Sequence, residues 1–460
     1  MSPATATLLV FDLGTSYFKG TLFDTDGQLL ALDRIPTPFT RSSGDYSEVS
    51  VSAFDDGLLA LAQKLRQQAP EAYGTIAAVT FSTQTNSFVL LDADNEALTP
   101  FVIWNDRRAK TYTAALDRLM ALPDFYETTG VPGLSPEFMV AKLQWYQTET
   151  PELWERVARI ALISDYLTER FTGQFVTEAG AAGLTGLVNI HTLAWWPEAL
   201  DIAGIEEDSL PDIVRAGSNL GPISADAAER FGLAPTCIFV VGCLDQYAGA
   251  IGAGNIAPGI VSETTGTVLA TVRCADSFSV TPDSPVFWGP SAEAGRYYQM
   301  VFGDVSANLL EAFRNALPEP VDFDTLGALA VAATGTKLTL PRDLDTPELL
   351  DHVRIWATSE STGDAVRAIF LGVAETLRDQ VTELCGADRP PAIHSVGGAA
   401  KSGVWMKIKA DTLDVPFRAV ACDEPTSLGA ALLALHGIAG TSLIDLVARC
   451  VHLEAPIAPQ

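Results

Sequence analysis

The chain has 460 residues, of which 48% are hydrophobic and 19% are charged, and its formal net charge is −28 at pH 7. This composition is typical of a folded protein long enough for two domains, and the negative charge opposes sequence-independent binding to nucleic acid or anionic lipid. The six cysteines show no CxxC spacing, and no apolar run reaches the ~18 residues that a membrane-spanning helix needs. We therefore expect a cytoplasmic protein without a nucleic-acid or membrane partner.

The first half of the sequence opens with three β-rich runs separated by short turns. Residues 7–13, 17–24 and 29–35 predict a meander of three antiparallel strands. The elements predicted next are a helix over residues 51–68, capped by Ser50 or Ser52, a strand over 75–81, a hairpin over 88–104 and helices over 106–122 and 137–148.

The second half repeats this opening pattern. A buried strand over residues 235–243 precedes a helix of small residues, and residues 260–274 then form a strand, a Gly-Thr turn and a strand. A strand over 392–398 and helices over 402–413 and 427–440 follow. We predict two domains, residues 1–241 and residues 242–460. The last helix can pack back on the first domain.

Two strand-turn sequences carry groups that suit phosphate binding. One is Asp12-Leu13-Gly14-Thr15-Ser16 with Lys19, and the other is Glu263-Thr264-Thr265-Gly266-Thr267. Glycine lets backbone N–H groups approach phosphate oxygens, and a carboxylate at a strand end can hold Mg²⁺. Each turn alone fits an ordinary β-hairpin equally well, but two in corresponding places indicate a clamp on one ligand.

Asp245 lies between the predicted strand over 235–243 and the following helix. A carboxylate at a helix N-terminus stays ionised and can accept a proton from a substrate hydroxyl. The same position favours an aspartate that only caps the helix, and the local pattern by itself favours the cap.

Two further segments have ligand-binding character. Residues 395–403 (SVGGAAKSG) form a Gly-rich turn that suits a base or a phosphate, although it is not a Walker A loop and packing glycines explain it as well. Residues 81–86 and 104–108 bring hydroxyls, amides, an indole and charges to strand ends, which is the mixture that recognises sugars. Singly, these are ordinary loop residues.

In this order the motifs resemble those of the FGGY carbohydrate kinases, the family of xylulokinase and glycerol kinase, over nearly the whole chain. The matching motifs are DLGTS with Lys19, WNDRR, VGCLDQYAGAIGAG, TTGT and VGGAAKSGVW. The resemblance implies an α/β fold with two lobes of the actin, hexokinase and Hsp70 (ribonuclease H-like) type. It places a sugar-binding lobe in residues 1–241, a nucleotide-binding lobe in 242–460, and both ligands between them.

The resemblance also implies ATP-dependent phosphorylation of a ketose-like sugar or polyol, with ATP and Mg²⁺ as cofactors. Asp245 would be the catalytic base, and Asp12 would help to hold the metal. The implied nucleotide and phosphate ligands are Gly14, Thr15, Ser16, Lys19, Thr265, Gly266, Thr267, Gly397, Gly398, Ala399 and Lys401. The implied sugar ligands are Gln84, Thr85, Asn86, Trp104, Asp106, Asp245 and Gln246.

The sequence departs from the family at residues 84–87, at Tyr17 and at residues 340–348 (LPRDLDTPE), where the family's usual GER-type stretch is reduced. Residues 84–87 are Gln-Thr-Asn-Ser where xylulokinases carry Gln-Met-His-Gly, and Tyr17 occupies a position that is commonly glycine. The sugar, the hydroxyl and the oligomeric state, including a homodimer, therefore stay open. The alternatives are a catalytically weak sugar- and ATP-binding regulatory protein of the same fold, and an ATPase or filament-forming protein related to Hsp70.

Overall fold

The structure, a computed structural model, describes residues 6–266 and 268–460. The chain forms two compact units, each assembled from separate segments. Unit 1 contains the chain up to Gly252 together with Asp276–Tyr298 and Thr426–Val451. Unit 2 contains Ala253–Ala275, Gln299–Pro425 and His452–Gln460.

Strands and helices follow one another along the described residues. The strands are β1 (Thr7–Leu13), β2 (Tyr17–Asp24), β3 (Leu29–Pro36), β4 (Arg41–Ser43), β5 (Tyr46–Val49), β6 (Ile76–Thr83), β7 (Phe88–Leu91), β8 (Phe101–Val102), β9 (Arg159–Leu162), β10 (Val176–Glu178), β11 (Val188–Asn189), β12 (Ala194–Trp195), β13 (Asp212–Val214), β14 (Asn219–Pro222), β15 (Ile238–Val240), β16 (Cys243–Leu244), β17 (Val261–Thr265), β18 (Leu269–Ala275), β19 (Phe287–Pro290), β20 (Tyr297–Gly303), β21 (Ile393–Val396) and β22 (Phe417–Ala419).

The helices are α1 (Val51–Gln68), α2 (Pro70–Tyr73), α3 (Ala114–Met120), α4 (Phe125–Thr129), α5 (Met139–Glu149), α6 (Pro151–Trp154), α7 (Ile163–Thr172), α8 (Ala179–Gly183), α9 (Pro197–Ala203), α10 (Ala225–Phe231), α11 (Asp245–Gly252), α12 (Ala307–Ala316), α13 (Phe323–Ala332), α14 (Thr346–Ser359), α15 (Thr362–Cys385), α16 (Gly403–Leu413), α17 (Pro425–Ala439) and α18 (Leu443–Cys450). Among the helices of the described chain, none is both long and apolar enough to cross a bilayer.

Unit 1 is built on a seven-stranded sheet with the order β14-β15-β6-β1-β2-β3, and β16 also pairs with β6. Strands β1, β2 and β3 are antiparallel, as predicted, whereas β6 runs parallel to β1. Helix α1 covers this sheet and has the predicted bounds, because the Ser50 side chain accepts the Ala53 N–H at its start. Its buried Phe54, Leu58 and Leu61 each contribute about 1.5–3 kcal/mol of burial free energy.

Residues 106–122 do not form the single helix that the sequence predicts. Only α3 is helical there, and the residues before it form turns. The carboxylate of Asp106 accepts the backbone N–H groups of Ser47 and Arg108, so these backbone groups are satisfied outside a helix.

Unit 2 repeats the local arrangement of unit 1. Strands β17 and β18 form an antiparallel hairpin, and β21 lies parallel to β17 on its other side, with β22 parallel to β21. In unit 1, β1 likewise has an antiparallel hairpin partner, β2, and a parallel neighbour, β6. The prediction that both halves follow one plan is confirmed at the level of strand topology. The unit 2 core includes a stacked Phe370–Trp405 pair, with ring centroids 4.3 Å apart.

The division into units differs from the sequence-based boundary between residues 241 and 242. Strand β16 and helix α11 belong to unit 1, because Cys243 and Leu244 pair with Ser82 and Thr83 of β6. Almost all of α17, and all of α18, also belong to unit 1. A Cβ atom added to Gly429 of α17 would lie 1.9 Å from the Ala248 carbonyl oxygen of α11, so the two helices are in backbone contact.

Candidate active site

Asp12 and Asp245 lie at the same edge of the unit 1 sheet. Asp12 of β1 is in register with Ser82 of β6, and Cys243 of β16 is in register with the same residue from the other side. Asp245 follows β16 directly as the first residue of α11. The carboxyl ends of parallel strands meet at one edge, which is where α/β sheets bind ligands.

The carboxyl group of Asp245 is poised for proton transfer. Its side chain is half-buried, and Oδ1 accepts the Gln246 N–H at 2.7 Å. Burial, and next the negative charge of Asp12, raise the pKa of Asp245 to about 7, whereas the Gln246 N–H and the Lys19 ammonium act in the opposite direction. The Lys19 Nζ lies 3.3 Å from Asp12 Oδ2. A general base works best with a pKa near the operating pH, and Asp245 meets this condition.

The Gly14 turn between β1 and β2 is braced by backbone hydrogen bonds. The Gly14 N–H donates to the Tyr17 carbonyl at 3.1 Å, and the Thr37 hydroxyl donates to the Gly14 carbonyl at 3.0 Å. Ser16 is exposed at the tip. The ring of Tyr17 is 41% exposed, with the Arg34 guanidinium 5.0 Å from its centroid. The turn is therefore rigid while its outer face is accessible to a ligand.

A hydrogen-bond network joins this turn to the predicted sugar-binding residues. The Trp104 Nε1–H donates to Thr15 Oγ1 at 2.8 Å, and the Thr15 hydroxyl donates to Gln84 Oε1 at 3.4 Å. The Ser87 hydroxyl donates to the same Gln84 oxygen and accepts the Trp104 backbone N–H. The structure thus brings together Thr15, Gln84 and Trp104, which the sequence assigned to two different ligands.

The side chains of Thr85 and Asn86 are bonded to the protein. The Thr85 hydroxyl donates to the Ala181 carbonyl at 2.7 Å. The Asn86 amide donates to the Leu184 carbonyl at 3.1 Å and accepts the Met139 N–H at 3.0 Å, with a left-handed backbone φ of 57°. Both residues fix the loop after β6, and Asn86 uses both polar atoms of its amide in doing so.

Asp106 is completely buried and holds an ion-pair network. Its two carboxylate oxygens accept bonds from the Arg108 guanidinium at 2.8 and 2.9 Å and from the Ser47 N–H at 2.7 Å. Arg108 also bonds Glu48 and the Tyr146 hydroxyl. The structure therefore makes Asp106 a buried anchor of its loop, and not an open position for the sugar contact that the sequence predicted.

Lys142 of α5 holds the loop around Trp104, and sequence reasoning did not predict this role. Its buried ammonium donates to the backbone carbonyls of Ile103, Trp104 and Glu137. Burial lowers the pKa of Lys142 to about 7. The sequence feature that could have indicated it is a lysine among the apolar residues of α5, but its carbonyl partners cannot be identified from the sequence.

Glu178 holds β16, the strand that ends directly before Asp245. Its buried carboxylate accepts the N–H groups of Gly180, Ala181 and Leu244 at 2.6, 2.9 and 3.3 Å. Burial raises the pKa of Glu178 to about 7. Because Leu244 directly precedes Asp245, this bond fixes the backbone next to Asp245, and nothing in the sequence pattern indicated it.

In unit 2 the predicted nucleotide residues divide into two groups. Gly397 has a φ of +85°, and a Cβ added there would lie 3.2 Å from the Thr265 carbonyl oxygen, so the Gly-rich turn abuts the β17 turn. The Ser306 hydroxyl bonds the Gly266 carbonyl at 2.8 Å. Thr267 lies outside the described residues.

The other predicted residues of unit 2 lie around the short 3₁₀ turn Gly398–Lys401. Gly398 is exposed and Ala399 is buried. Lys401 is on the surface, where its ammonium pairs with Asp423 at 2.8 Å. The structure therefore joins Thr265, Gly266 and Gly397 and leaves Lys401 at a separate surface position within unit 2.

The acidic side chains at the sheet edge of unit 1 suit a metal ion that is bound together with the substrate phosphates. Within residues 6–266 and 268–460, no group of three or more His, Cys, Asp or Glu side chains could hold a metal. Asp12 and Asp245 nevertheless supply two neighbouring carboxylates. Mg²⁺ is commonly bound by one or two carboxylates, with water and substrate phosphates completing its coordination, and Asp12 at the strand end fits that pattern.

Residues 7–252 match the model for the N-terminal domain of the FGGY family of carbohydrate kinases, and residues 356–438 match its C-terminal domain. The chain belongs to the FGGY family. This FGGY protein is 24% identical to gluconokinase from Bacillus licheniformis and 26% identical to xylulose kinase from Lactococcus lactis. Each comparison covers 98% of this chain and 92% of the relative.

A solved structure shows the fold of this FGGY kinase. The crystal structure of gluconate kinase from Lactobacillus acidophilus matches with a TM-score of 0.86 and 22% identity, covering 99% of this chain and 94% of that one. The predicted actin- and hexokinase-like α/β fold is therefore confirmed. The match to both FGGY domains confirms the prediction of a carbohydrate kinase, an enzyme that transfers phosphate from ATP to a sugar.

Proposed function

We propose that this kinase transfers the γ-phosphate of ATP to one hydroxyl of a ketose-like sugar or a polyol, with Asp245 as the general base. The observation that carries the proposal is the position of Asp245 at the sheet edge beside Asp12 and Lys19, with a pKa of about 7. The Thr15–Gln84–Trp104 network in the same unit supports it, because it fixes the partly exposed Trp104 indole, which suits the C–H face of a sugar, next to the Gly14 turn.

In the proposed reaction the substrate hydroxyl gives its proton to the Asp245 carboxylate as its oxygen bonds the γ-phosphorus. The bond between that phosphorus and the β-phosphate oxygen breaks, and ADP leaves in line. Lys19 and the N–H groups of the Gly14 turn would hold phosphate oxygens. Mg²⁺, held in part by Asp12, would neutralise phosphate charge when bound. The other residues contribute mainly by positioning.

The remaining ligand assignments follow from which polar groups are accessible. Trp104 and Gln246 are partly exposed and are proposed to contact the sugar. The polar side-chain groups of Gln84, Thr85, Asn86 and Asp106 bond the protein, so these residues are proposed to position the neighbouring loops. Ser16 and the backbone of Gly266 are proposed phosphate ligands. The residues proposed to line the adenosine site are Gly397, Gly398 and Ala399, with Lys401 at its edge.

The test is a coupled assay for ADP with MgATP and a panel of ketopentoses, ketohexoses, deoxy sugars, polyols and gluconate, since two relatives are named for gluconate and xylulose. We expect one class to give ADP and sugar phosphate in equal amounts. Sugar binding without ADP formation would contradict the proposal and favour a regulatory protein. ATP hydrolysis without a sugar phosphate would contradict it in favour of an ATPase.

The pH dependence tests the role of Asp245 with the unmodified enzyme. A base must be ionised, and the pKa of Asp245 is about 7. We therefore expect kcat/KM for the sugar to be highest above pH 7 and to fall about tenfold per pH unit below it. Steady-state rates measured from about pH 8 down to about pH 5.5 check this. A flat profile across that range would exclude Asp245 as the base.

We also propose that the enzyme works in the cytoplasm. All six cysteines are free thiols, as expected in a reducing compartment. The net charge of −28 opposes binding to nucleic acid. The proposed partners are therefore the small sugar and MgATP.

A further inference from the structure

A closed ring of buried polar side chains lies directly before the Gly266 turn. The Lys409 ammonium of α16 donates to Glu263 Oε1 of β17 at 2.7 Å and to Thr265 Oγ1 at 2.7 Å. The Thr265 hydroxyl in turn donates to Glu263 Oε2 at 2.6 Å. The Ser395 hydroxyl of β21 also donates to Glu263 Oε1. Both carboxylate oxygens and one ammonium are thus used in a single ring that links β17, β21 and α16.

This ring is an uncommon feature of a protein core. The side chains of Lys409 and Glu263 are both 0% exposed. Removing two charges from water is costly, and well-packed apolar residues of the same size are often at least as stabilising as a buried ion pair. Apolar residues such as Val261 and Ile393 surround the pair on the same strands. Stability alone therefore does not account for the Lys409–Glu263 pair. Its geometry does fix the Thr265 side chain and the backbone segment that follows it.

The fixed segment is the Gly266 turn. The ring occupies the Thr265 hydroxyl completely, so this hydroxyl cannot also face a phosphate, and the next residue is Gly266. From the other sides, the Ser306 hydroxyl bonds the Gly266 carbonyl, and Gly397 approaches the Thr265 carbonyl. A backbone turn held on each side presents its N–H groups in one geometry, which is what preorganised phosphate binding requires.

We propose that the Lys409–Glu263 pair is a positioning device for nucleotide binding, which holds the Thr265–Gly266 turn in its phosphate-binding geometry. The inference rests on the proposed function, since it assigns the nucleotide phosphates to this turn. Lys409 and Glu263 are positioning residues: their charges cancel within the ring, and they act on the nucleotide through the backbone of the turn. The pair tunes affinity for ATP and has no part in sugar recognition.

The double variant Glu263→Met with Lys409→Met tests this inference. Methionine keeps the volume of both side chains and leaves no unpaired charge, so the variant is expected to fold. A single Lys409→Met variant would leave a buried, unpaired carboxylate and is expected to unfold. We expect the double variant to raise the Kd for MgADP and the KM for MgATP at least about tenfold, because the turn loses its fixed geometry. The KM for the sugar is expected to stay within about twofold.

Lys407→Met is the matched control, because Lys407 lies on the same helix but pairs with Asp411 at the surface. It is expected to leave every constant unchanged. MgADP binding is measured by calorimetry, and folding by thermal unfolding. If the folded double variant binds MgADP like the unmodified protein, or if only its melting temperature falls, the positioning role is overturned. If the unmodified protein itself binds no MgADP, the proposed function fails first, and this inference fails with it.

Discussion

Replacing Asp245 with asparagine is expected to lower kcat about 10²–10⁴-fold, which is the usual contribution of a general base. The amide cannot take the proton from the substrate hydroxyl, whereas the rest of the Asp12–Lys19 arrangement stays in place. The KM for MgATP should change little, because Asp245 is proposed to act on the sugar hydroxyl. Steady-state kinetics with the substrate found in the panel give both constants.

The Asp245→Asn variant is also expected to fold as well as the unmodified protein. Asparagine retains an oxygen for the Gln246 N–H. The neutral amide also avoids the cost of burying a negative charge, which is the cause of the raised pKa of the carboxyl group. Its melting temperature above pH 7 should therefore be equal or higher. Asp226→Asn, at an exposed aspartate in the first turn of α10, is the control and should keep normal turnover. Near-normal turnover by Asp245→Asn would show that another residue is the base.

Local sequence patterns predict the parts of the fold that local physics determines. The Ser50 cap, the spacing of apolar residues and Pro70 define α1 to the residue, because each of these signals acts within one or two helical turns. The position of Asp245 at the start of α11 also follows from a local pattern, a β-branched strand before a run of small residues. Its closeness to Asp12 depends in addition on β16 pairing with β6, which no local pattern encodes.

Side-chain partners that are distant in the sequence could not be predicted. Lys409 and Glu263 are 146 residues apart, and a lysine side chain is rarely fully buried, so a lysine in a helix normally predicts a solvent-facing position. Lys142 misleads in the same way, since its three carbonyl partners lie in loops. The helix predicted to start at Asp106 is absent for the same reason. The Asp106 carboxylate bonds the Ser47 backbone N–H, a partner distant in the sequence that no local pattern reveals.

The residues that depart from the family pattern at positions 85 and 86 have a structural role. In this chain the Thr85 side chain bonds the carbonyl of residue 181 in the middle of α8, and the Asn86 side chain bonds that of residue 184 just after α8. Glu178, which caps α8, also holds Leu244 beside Asp245. The two residues thus join the loop after β6 to the same support that holds β16 next to Asp245.

Gly242→Ala is expected to destabilise the protein by more than about 3 kcal/mol, the upper end of the cost of overpacking a core. A Cβ atom at residue 242 would lie 1.7 Å from the Phe81 carbonyl oxygen, and that oxygen belongs to the backbone of β6. Strands β15 and β16, on either side of Gly242, both pair with β6, so no flexible side chain can move aside. Thermal unfolding and soluble yield measure the loss.

Gly133→Ala is the matched control for this prediction, because a Cβ atom there meets nothing within 4 Å and the residue belongs to the same unit. It is expected to leave the melting temperature and turnover unchanged. Any folded Gly242→Ala protein must have β16 shifted away from β6, and since Asp245 follows β16, its turnover should fall with its stability. A Gly242→Ala enzyme with normal melting and normal turnover would show that the close pairing of β16 with β6 does not set the position of Asp245.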